Sequence, residues 1–169
     1  MKGKFITFEG SEGSGKSTQI DLLYQFLLNK KKRVLFVREP GGVKLSEAIR
    51  KILLDVKNIQ MTNECETLLY MAARAQLVHE AISPALKKGY IVLCDRFLDS
   101  TFVYQGYGNG GDLKTIETIG KFVTQKIKPD LTLLFDIEIQ KGLSRTSLLK
   151  DRIELRSLNI NFSNPGIKV

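Results

Sequence analysis

The chain has 169 residues, of which 43% are hydrophobic and 26% are charged, and its formal net charge is +8 at pH 7. This length and composition are typical of one globular domain with a sizeable core, and they exclude a disordered or fibrous chain. No apolar stretch approaches the roughly 18 residues of a membrane span, and the first residues lack the apolar segment of a secretory signal, so we expect a cytoplasmic protein with no membrane partner.

The basic excess raises the question of nucleic-acid binding. The lysines are spread along the chain, and the densest cluster, residues 30–33, follows a predicted helix. Cations at that position offset the helix dipole. We therefore interpret the charge as a general attraction for polyanionic substrates and predict no nucleic-acid partner.

The first predicted element is an apolar strand over residues 4–9, and a helix is predicted over 16–30. Between them, residues 10–17 read G-S-E-G-S-G-K-S, which matches the P-loop pattern G-x-x-x-x-G-K-[ST]. A strand, a glycine loop and a helix in this order point backbone N–H groups at a phosphate chain. Lys16 would supply a cation for the β- and γ-phosphates, and the Ser17 hydroxyl would be a ligand for Mg²⁺.

Apolar runs and helical patterns alternate along the rest of the chain. A strand is predicted over 34–38, a helix begins after Gly42, and a long helix over 63–88 is expected to kink or break at Pro84. The stripe of this long helix that should face the core comprises Leu68, Ala72, Ala75, Ile82 and Leu86. The remaining elements are a strand at 90–94, helices at 100–106 and 113–127, a strand at 131–135 and a helix at 140–146.

Strands that alternate with helices predict a parallel sheet with helices on both faces. We therefore predict a single α/β domain over residues 1–169, a three-layer sandwich of the P-loop NTPase type with about five parallel strands. Ligands of such sheets bind at the carboxyl ends of the strands.

Arginines accompany the P-loop along the whole chain. Arg38 and Arg96 follow two predicted strands, Arg74 lies on the long helix, and Arg145 and Arg152 lie near the carboxyl end. Several guanidinium groups around a P-loop imply a second phosphate-bearing substrate. A GTPase would carry an N-K-x-D motif, which the sequence lacks. A nucleoside monophosphate kinase is favoured, and a P-loop switch that binds ATP without phosphoryl transfer is the alternative.

Four further motifs bear on the kind of kinase. They are R-E-P-G-G at 38–42, L-L-Y-M-A-A-R-A-Q at 68–76, D-R-F-L-D-S-T-F-V-Y-Q-G at 95–106 and D-R-I-E at 151–154. With the P-loop, this ordered set resembles the bacterial thymidylate kinases over residues 4–158. The resemblance implies one doubly wound α/β domain that forms a homodimer, and transfer of the ATP γ-phosphoryl group to dTMP. A kinase for another nucleoside monophosphate stays open as an alternative.

The resemblance implies roles for residues on the monophosphate side. Tyr70 stands where the family has an aromatic ring stacked on the thymine, although a core aromatic is the alternative. Arg74 matches the arginine that hydrogen-bonds the thymine carbonyl edge. Arg96 matches the arginine that binds the monophosphate, and Arg38 is a further ligand for that phosphate. The segment that lines the base and the deoxyribose comprises Ser100, Tyr104 and Gln105.

On the ATP side, the expected binding residues are those of the P-loop and the next position: Gly10, Ser11, Glu12, Gly13, Ser14, Gly15, Lys16, Ser17 and Thr18. The resemblance also places the Glu12 carboxylate near the deoxyribose 3′-hydroxyl and the metal. Asp95 ends an apolar strand, where a carboxylate can hold Mg²⁺ directly or through water. An ion pair that orients Arg96 or Lys16 is the other interpretation of Asp95.

One branch of the family has a catalytic arginine at the position of Gly13. Its absence here implies the branch in which a lid, at about residues 144–156, supplies the catalytic cation. The lid cations are Arg145, Lys150 and Arg152. With Lys16 and Arg96, Arg145 and Arg152 complete the predicted catalytic set.

The sequence departs from the family after Leu158. The family continues with a long helix and a last strand, whereas here only residues 159–166 precede a strand-like 167–169. Either a stretch of roughly 25 residues with the C-terminal helix is missing, or the product is shortened and leaves one face of the sheet uncovered.

Overall fold

A computed structural model describes residues 3–145 and 152–153. Its sheet has four parallel strands, β1 (Lys4–Gly10), β2 (Val34–Arg38), β3 (Ile91–Asp95) and β4 (Leu131–Phe135), in the order β2-β3-β1-β4. The helices are α1 (Lys16–Asn29), α2 (Lys44–Leu54), α3 (Asn63–Leu77), α4 (Ser83–Lys87), α5 (Leu98–Thr101), α6 (Leu113–Val123) and α7 (Ile139–Leu143). Two π-helical segments, Val78–Ile82 and Phe102–Gly108, follow α3 and α5 directly, and a 3₁₀ turn, Val56–Asn58, follows α2.

Alternate residues of the strands point to opposite faces of the sheet, and each face has its own helical cover. On one face, Phe8 and Leu93 pack with Ile20 of α1. On the other, Phe5 and Val92 pack in a cluster that includes residues of α3, the first π-helical segment and α4. The predicted fold class, a parallel α/β sheet with helices on both faces, is confirmed, with four strands among the described residues. The strand expected near the end of the chain lies outside them.

The strand register brings the carboxyl ends of β2 and β3 level with one another, and β1 extends two residues further. Asp95 of β3 pairs with Phe8 of β1 on one side and with Arg38 of β2 on the other. The chain moves from β1 toward β2 and β3, and later to β4 on the opposite side. The order of the strands therefore reverses between β1 and β3, which is where such sheets form a ligand-binding crevice.

The segment around Pro84 remains helical, but it changes from an α-helix to a π-helix and back to an α-helix. A proline removes one backbone donor and its ring crowds the carbonyl four residues earlier. Here the wider π-helical segment Val78–Ile82 stands directly before the helix start at Ser83, so the chain passes Pro84 without a break.

The apolar stripe predicted for this helix is partly wrong. Leu68 is 55% exposed and Ala72 is also exposed, whereas Met71 and Leu77 are buried together with the charged Arg74. Arg74 occupies the buried face because a partner satisfies its charge. A search for apolar residues at helical spacing could not predict a buried arginine.

Two other predicted helices have different bounds. The segment predicted as a helix over 100–106 consists of α5 and the π-helical Phe102–Gly108. The helix predicted to reach residue 127 ends at Val123, and positive φ angles at Gln125 and Lys126 account for the early end. In the described part of the chain, no helix has the length and apolar character needed to cross a bilayer.

Candidate functional site

The P-loop joins β1 to α1 and encloses the Lys16 side chain. Lys16 is buried, and its Nζ donates to the carbonyl oxygens of Gly10 at 2.9 Å and Ser11 at 2.7 Å. Burial lowers the pKa of Lys16, as does the Arg96 cation, while the carboxylates of Glu12 and Asp95 oppose the shift. The loop therefore places a cation among backbone amides that can bind a phosphate chain.

Gly13 marks a close approach between the P-loop and α7. Its φ is 69°, and a Cβ at this position would clash with the carbonyl oxygen of Gly142. Likewise, a Cβ on Gly142 would lie 2.6 Å from the carbonyl oxygen of Glu12, which is too close. Arg145 follows α7, and its Nη1 lies 3.4 Å from the carbonyl oxygen of Gly13. No side chain fits at position 13, and Arg145 brings a guanidinium to the same place.

Arg96 begins the loop that follows β3 and has a left-handed backbone with φ of 65°. Its guanidinium forms an ion pair with Glu12 of the P-loop and donates to Ser100 Oγ at 3.2 Å. It also lies 5.3 Å from the centre of the Tyr104 ring. Burial acts to lower the pKa of Arg96, but the charges of Tyr104, Glu12 and Asp95 outweigh it and raise the pKa. Arg96 is thus a permanent cation between the P-loop and α5.

Glu9 fixes the loop that carries Arg96, and the sequence analysis missed it because it was counted only as a strand residue. Glu9 is buried, its Oε1 accepts from the backbone N–H of Phe97 at 2.8 Å, and its Oε2 accepts from Ser100 Oγ at 2.6 Å. Burial raises the pKa of Glu9 despite these two hydrogen bonds. A charged residue at the end of a buried strand beside a P-loop is the sequence signal that could have indicated this role.

Arg74 is held in a buried ion pair. Its Nε donates to Glu39 Oε2 at 2.7 Å, and its Nη2 donates to the carbonyl oxygen of Phe97 and to Thr101 Oγ1, both at 3.0 Å. Only Nη1 contacts a weak acceptor, the Sδ of Met71 at 3.4 Å. Burial raises the pKa of Glu39, and the neighbouring Arg74 opposes the shift. Arg74 therefore has a structural partner, and its predicted thymine contact would depend on Nη1.

Arg152 lies in a different network from the phosphate-binding residues. It is buried, its Nε donates to the carbonyl oxygen of Leu53 at 2.7 Å, and its Nη2 lies 2.6 Å from Glu66 Oε2. Glu66 is also buried, and its Oε1 accepts from Gln105 Nε2 at 2.9 Å. The catalytic role of Arg152 stays a prediction, and the structure gives its guanidinium another partner.

Two arginines, Arg38 and Arg50, lie on either side of the segment that joins β2 to α2. Arg38 Nη2 lies 3.2 Å from Glu47 Oε1, while its buried Nη1 has no hydrogen-bond acceptor among residues 3–145 and 152–153. Arg50 of α2, which the sequence analysis missed, donates from Nη1 to the carbonyl oxygen of Pro40 at 2.9 Å. Helical spacing after the R-E-P-G-G motif was the available signal for Arg50.

These elements enclose a cavity of about 530 Å³. The predicted site residues that line it are Glu12, Gly13, Ser14, Gly15, Lys16, Ser17, Thr18, Arg38, Tyr70, Arg74, Asp95, Arg96, Ser100, Tyr104, Gln105 and Arg145. Gly10, Ser11 and Arg152 are not among the lining residues, and Lys150 lies outside the described part of the chain. The lining residues that were not predicted are Glu39, Pro40, Arg50, Leu54, Phe97, Thr101 and Ile153.

Two of the residues that line the cavity, Asp95 and Ser17, fit a magnesium ion bound mainly through phosphate. Asp95 Oδ1 is buried without a hydrogen-bond partner in the described residues. Burial raises the pKa of Asp95, while Arg96 and Lys16 oppose the shift. Over those same residues, no cluster of three or more His, Cys, Asp or Glu side chains could form a metal cage. Mg²⁺ needs only one or two protein oxygens when phosphates and water supply the rest, and Asp95 and Ser17 both line this cavity.

Comparison with known proteins agrees with the motifs. The family model described as thymidylate kinase matches residues 8–161. The chain belongs to the thymidylate kinase family. It is 52% identical over 141 residues to the thymidylate kinase of Roseiflexus castenholzii, covering 83% of this chain and 62% of that protein. It is 54% identical over 143 residues to the thymidylate kinase of Geotalea daltonii, covering 85% of this chain and 67% of that protein.

A solved structure supports the same family assignment. The crystal structure of thymidylate kinase from Ehrlichia chaffeensis superimposes with a TM-score of 0.76 at 35% sequence identity, covering 98% of this chain and 88% of that one. The resemblance inferred from the motifs is therefore confirmed at the level of the family. The chain spans only about two thirds of the length of the two curated relatives, 62% and 67%.

Proposed function

We propose that the protein transfers the γ-phosphoryl group of ATP to dTMP and releases ADP and dTDP. The observation that supports this most directly is a single cavity with two kinds of lining. The P-loop with Lys16 forms one side, and Arg96, Tyr70 and Gln105 line another part of the same cavity. A switch protein would need only the first of these, whereas a kinase must hold two anionic substrates in line.

In this proposal an oxygen of the dTMP phosphate attacks the γ-phosphorus while the bond from that phosphorus to the β–γ bridging oxygen breaks. Lys16 and the loop amides stabilise the charge that develops on the phosphate oxygens. Arg96 holds the monophosphate, with Arg38 beside it, and Arg96 is itself fixed by Glu12 and Ser100. Ser17 and Asp95 would hold Mg²⁺, which would supply positive charge to neutralise the phosphate chain.

The proposal also covers the setting in which the protein acts. ATP and dTMP are cytoplasmic metabolites, so we place the activity in the cytoplasm and assign no nucleic-acid or membrane partner. A homodimer is supported by apolar side chains that stay exposed on α2 and α3, among them Leu45 at 54% and Leu68 at 55%. Exposed apolar side chains on neighbouring helices are typical of a subunit interface.

The substrate assignment is tested by ADP release from Mg·ATP with dTMP, dUMP, dCMP, UMP and AMP as acceptors. We expect dTMP to give the highest kcat/KM, and removal of Mg²⁺ by a chelator to abolish release. If another monophosphate supports turnover and dTMP does not, the substrate is misassigned. ATP binding without ADP release for any acceptor would favour the P-loop switch instead.

The lid cation is a separate prediction, and the structure favours Arg145. Arg145→Ala should lower kcat by about 10²–10³-fold with little change in KM for dTMP, because a cation that acts on the moving phosphoryl group is needed mainly in the transition state. Steady-state kinetics in both substrates measure this. Lys141→Ala is the matched control, since Lys141 is an exposed cation one turn earlier on α7.

A catalytic role of Arg152 predicts that Arg152→Ala lowers kcat more than it weakens dTMP binding. Arg152→Ala should also destabilise the protein, because the substitution leaves the buried Glu66 carboxylate without its cation. If folded Arg152→Ala loses turnover and Arg145→Ala does not, the catalytic cation is Arg152. If neither variant changes kcat, the lid does not supply it.

A further inference from the structure

Glu66 is a buried carboxylate that does not line the cavity but contacts a residue that does. It is 1% exposed, and its Oε1 accepts hydrogen bonds from Gln105 Nε2 at 2.9 Å and from Asn109 Nδ2 at 3.1 Å. Its Oε2 lies 2.6 Å from Arg152 Nη2. Glu66 also precedes Tyr70 and Arg74 by one and two helical turns, so α3 presents all three on one side.

This contact decides which way the Gln105 carboxamide faces. A carboxylate can only accept hydrogen bonds, so Gln105 must turn its NH₂ group toward Glu66. The carboxamide oxygen, Oε1, then points away from Glu66. Gln105 lines the cavity, and within residues 3–145 and 152–153 no donor contacts its Oε1. Asn63 further holds the Gln105 backbone through a 3.4 Å hydrogen bond to its carbonyl oxygen.

We infer that Glu66 is a positioning residue that fixes the Gln105 carboxamide with its oxygen toward the nucleobase, and so selects a base that carries an N–H donor at that edge. The inference rests on the proposed function and deepens it. Thymine and uracil have a proton on N3, whereas N3 of cytosine is an acceptor. An acceptor that cannot turn over favours the first two bases and rejects cytosine, because two facing acceptors leave both unpaired.

The substitution Glu66→Gln tests the orientation at nearly constant volume. Arg152 can only donate, so the new amide oxygen at position 66 should face Arg152 and the new NH₂ group should face Gln105 and Asn109, whose carboxamides can both turn to accept from it. Gln105 would then turn its oxygen toward position 66 and its NH₂ group toward the cavity. The site would present a donor to the base, which suits cytosine and opposes uracil.

The experiment compares dUMP with dCMP, because these two substrates differ only at the N3 and C4 edge of the base. Dissociation constants are measured by calorimetry, and kcat/KM by ADP release. The wild type should prefer dUMP by at least about tenfold. Glu66→Gln should lose this preference or reverse it, while KM for ATP stays unchanged. Arg152→Gln is the matched control: it breaks the ion pair but keeps the carboxylate on Gln105, so the preference should persist whatever happens to turnover.

A swap of the two side chains provides the rescue. In the double variant Glu66→Gln/Gln105→Glu, position 105 carries a carboxylate that can only accept, so the preference for dUMP should return. A merely structural role of Glu66 predicts a loss of thermal stability with an unchanged dUMP to dCMP ratio in folded Glu66→Gln, and that result would overturn the inference. If Glu66→Gln does not fold, a folded swap variant without the dUMP preference overturns it as well.

Measurements on the wild type alone can also overturn the inference. Equal affinity for dUMP and dCMP would show that the Gln105 carboxamide is free to turn over, and would end the inference without any variant. A wild type that phosphorylates no pyrimidine monophosphate would end the proposed function, and this inference with it. An active wild type whose preference survives in Glu66→Gln ends only the inference.

Discussion

Lys16→Ala should lower kcat by at least about a hundredfold while the protein remains folded. The Lys16 ammonium is enclosed by the loop, with the carbonyl oxygens of Gly10 and Ser11 as its acceptors. Both acceptors are main-chain groups, so removal of the lysine breaks no direct ion pair between Lys16 and a carboxylate of the described residues. The charge is needed as the γ-phosphoryl group moves, so the loss should appear in kcat.

The measurement is ADP release at saturating ATP and dTMP, together with a thermal unfolding curve for each variant. Lys30→Ala is the matched control, because Lys30 is an exposed lysine at the other end of α1 and its ammonium lies 5.7 Å from the Phe26 ring, remote from the P-loop. We expect this control to keep full activity. Near-normal turnover in folded Lys16→Ala would contradict the assigned role.

Local sequence patterns were sufficient to predict the sheet and the phosphate-binding half of the site. β2 and β4 begin and end at the predicted residues, β1 ends one residue later than predicted, and β3 both begins and ends one residue later. Each of these strands is a short apolar run bounded by turn residues, so the local sequence is sufficient to locate it. The same holds for the P-loop, whose function follows from eight consecutive residues.

Contacts between distant parts of the chain were beyond such patterns. Glu39 and Arg74 are 35 residues apart, and Glu66 and Arg152 are also far apart along the chain, and in each of these pairs two opposite charges are buried together. Local sequence does not distinguish an arginine that pairs with a buried carboxylate from an arginine that binds a phosphate. For this reason Arg152 was predicted as a lid cation, whereas Glu9, Glu66 and Arg50 were not singled out at all.

Arg74→Ala is expected to destabilise the protein by about 3–5 kcal/mol, because it leaves the Glu39 carboxylate buried without its cation. Urea unfolding measures the loss. It should grow as the pH rises above 4.5, the ordinary pKa of a glutamate. Burial raises the pKa of Glu39 in the folded state, and loss of Arg74 raises it further. The folded variant therefore binds more protons than the unfolded chain above that pH, and its free energy of unfolding falls as they dissociate.

This destabilisation must be separated from the role of Arg74 in binding thymine, and the double variant Glu39→Gln/Arg74→Met does so. It replaces the ion pair by neutral side chains of similar volume, so most of the lost stability should return. If the Arg74 guanidinium also donates to the thymine, KM for dTMP should still rise by about tenfold or more in this folded variant, with KM for ATP little changed. A KM for dTMP equal to that of the wild type would show that Arg74 serves only as the partner of Glu39. An equal rise in both KM values would place the arginine on the ATP side of the cavity.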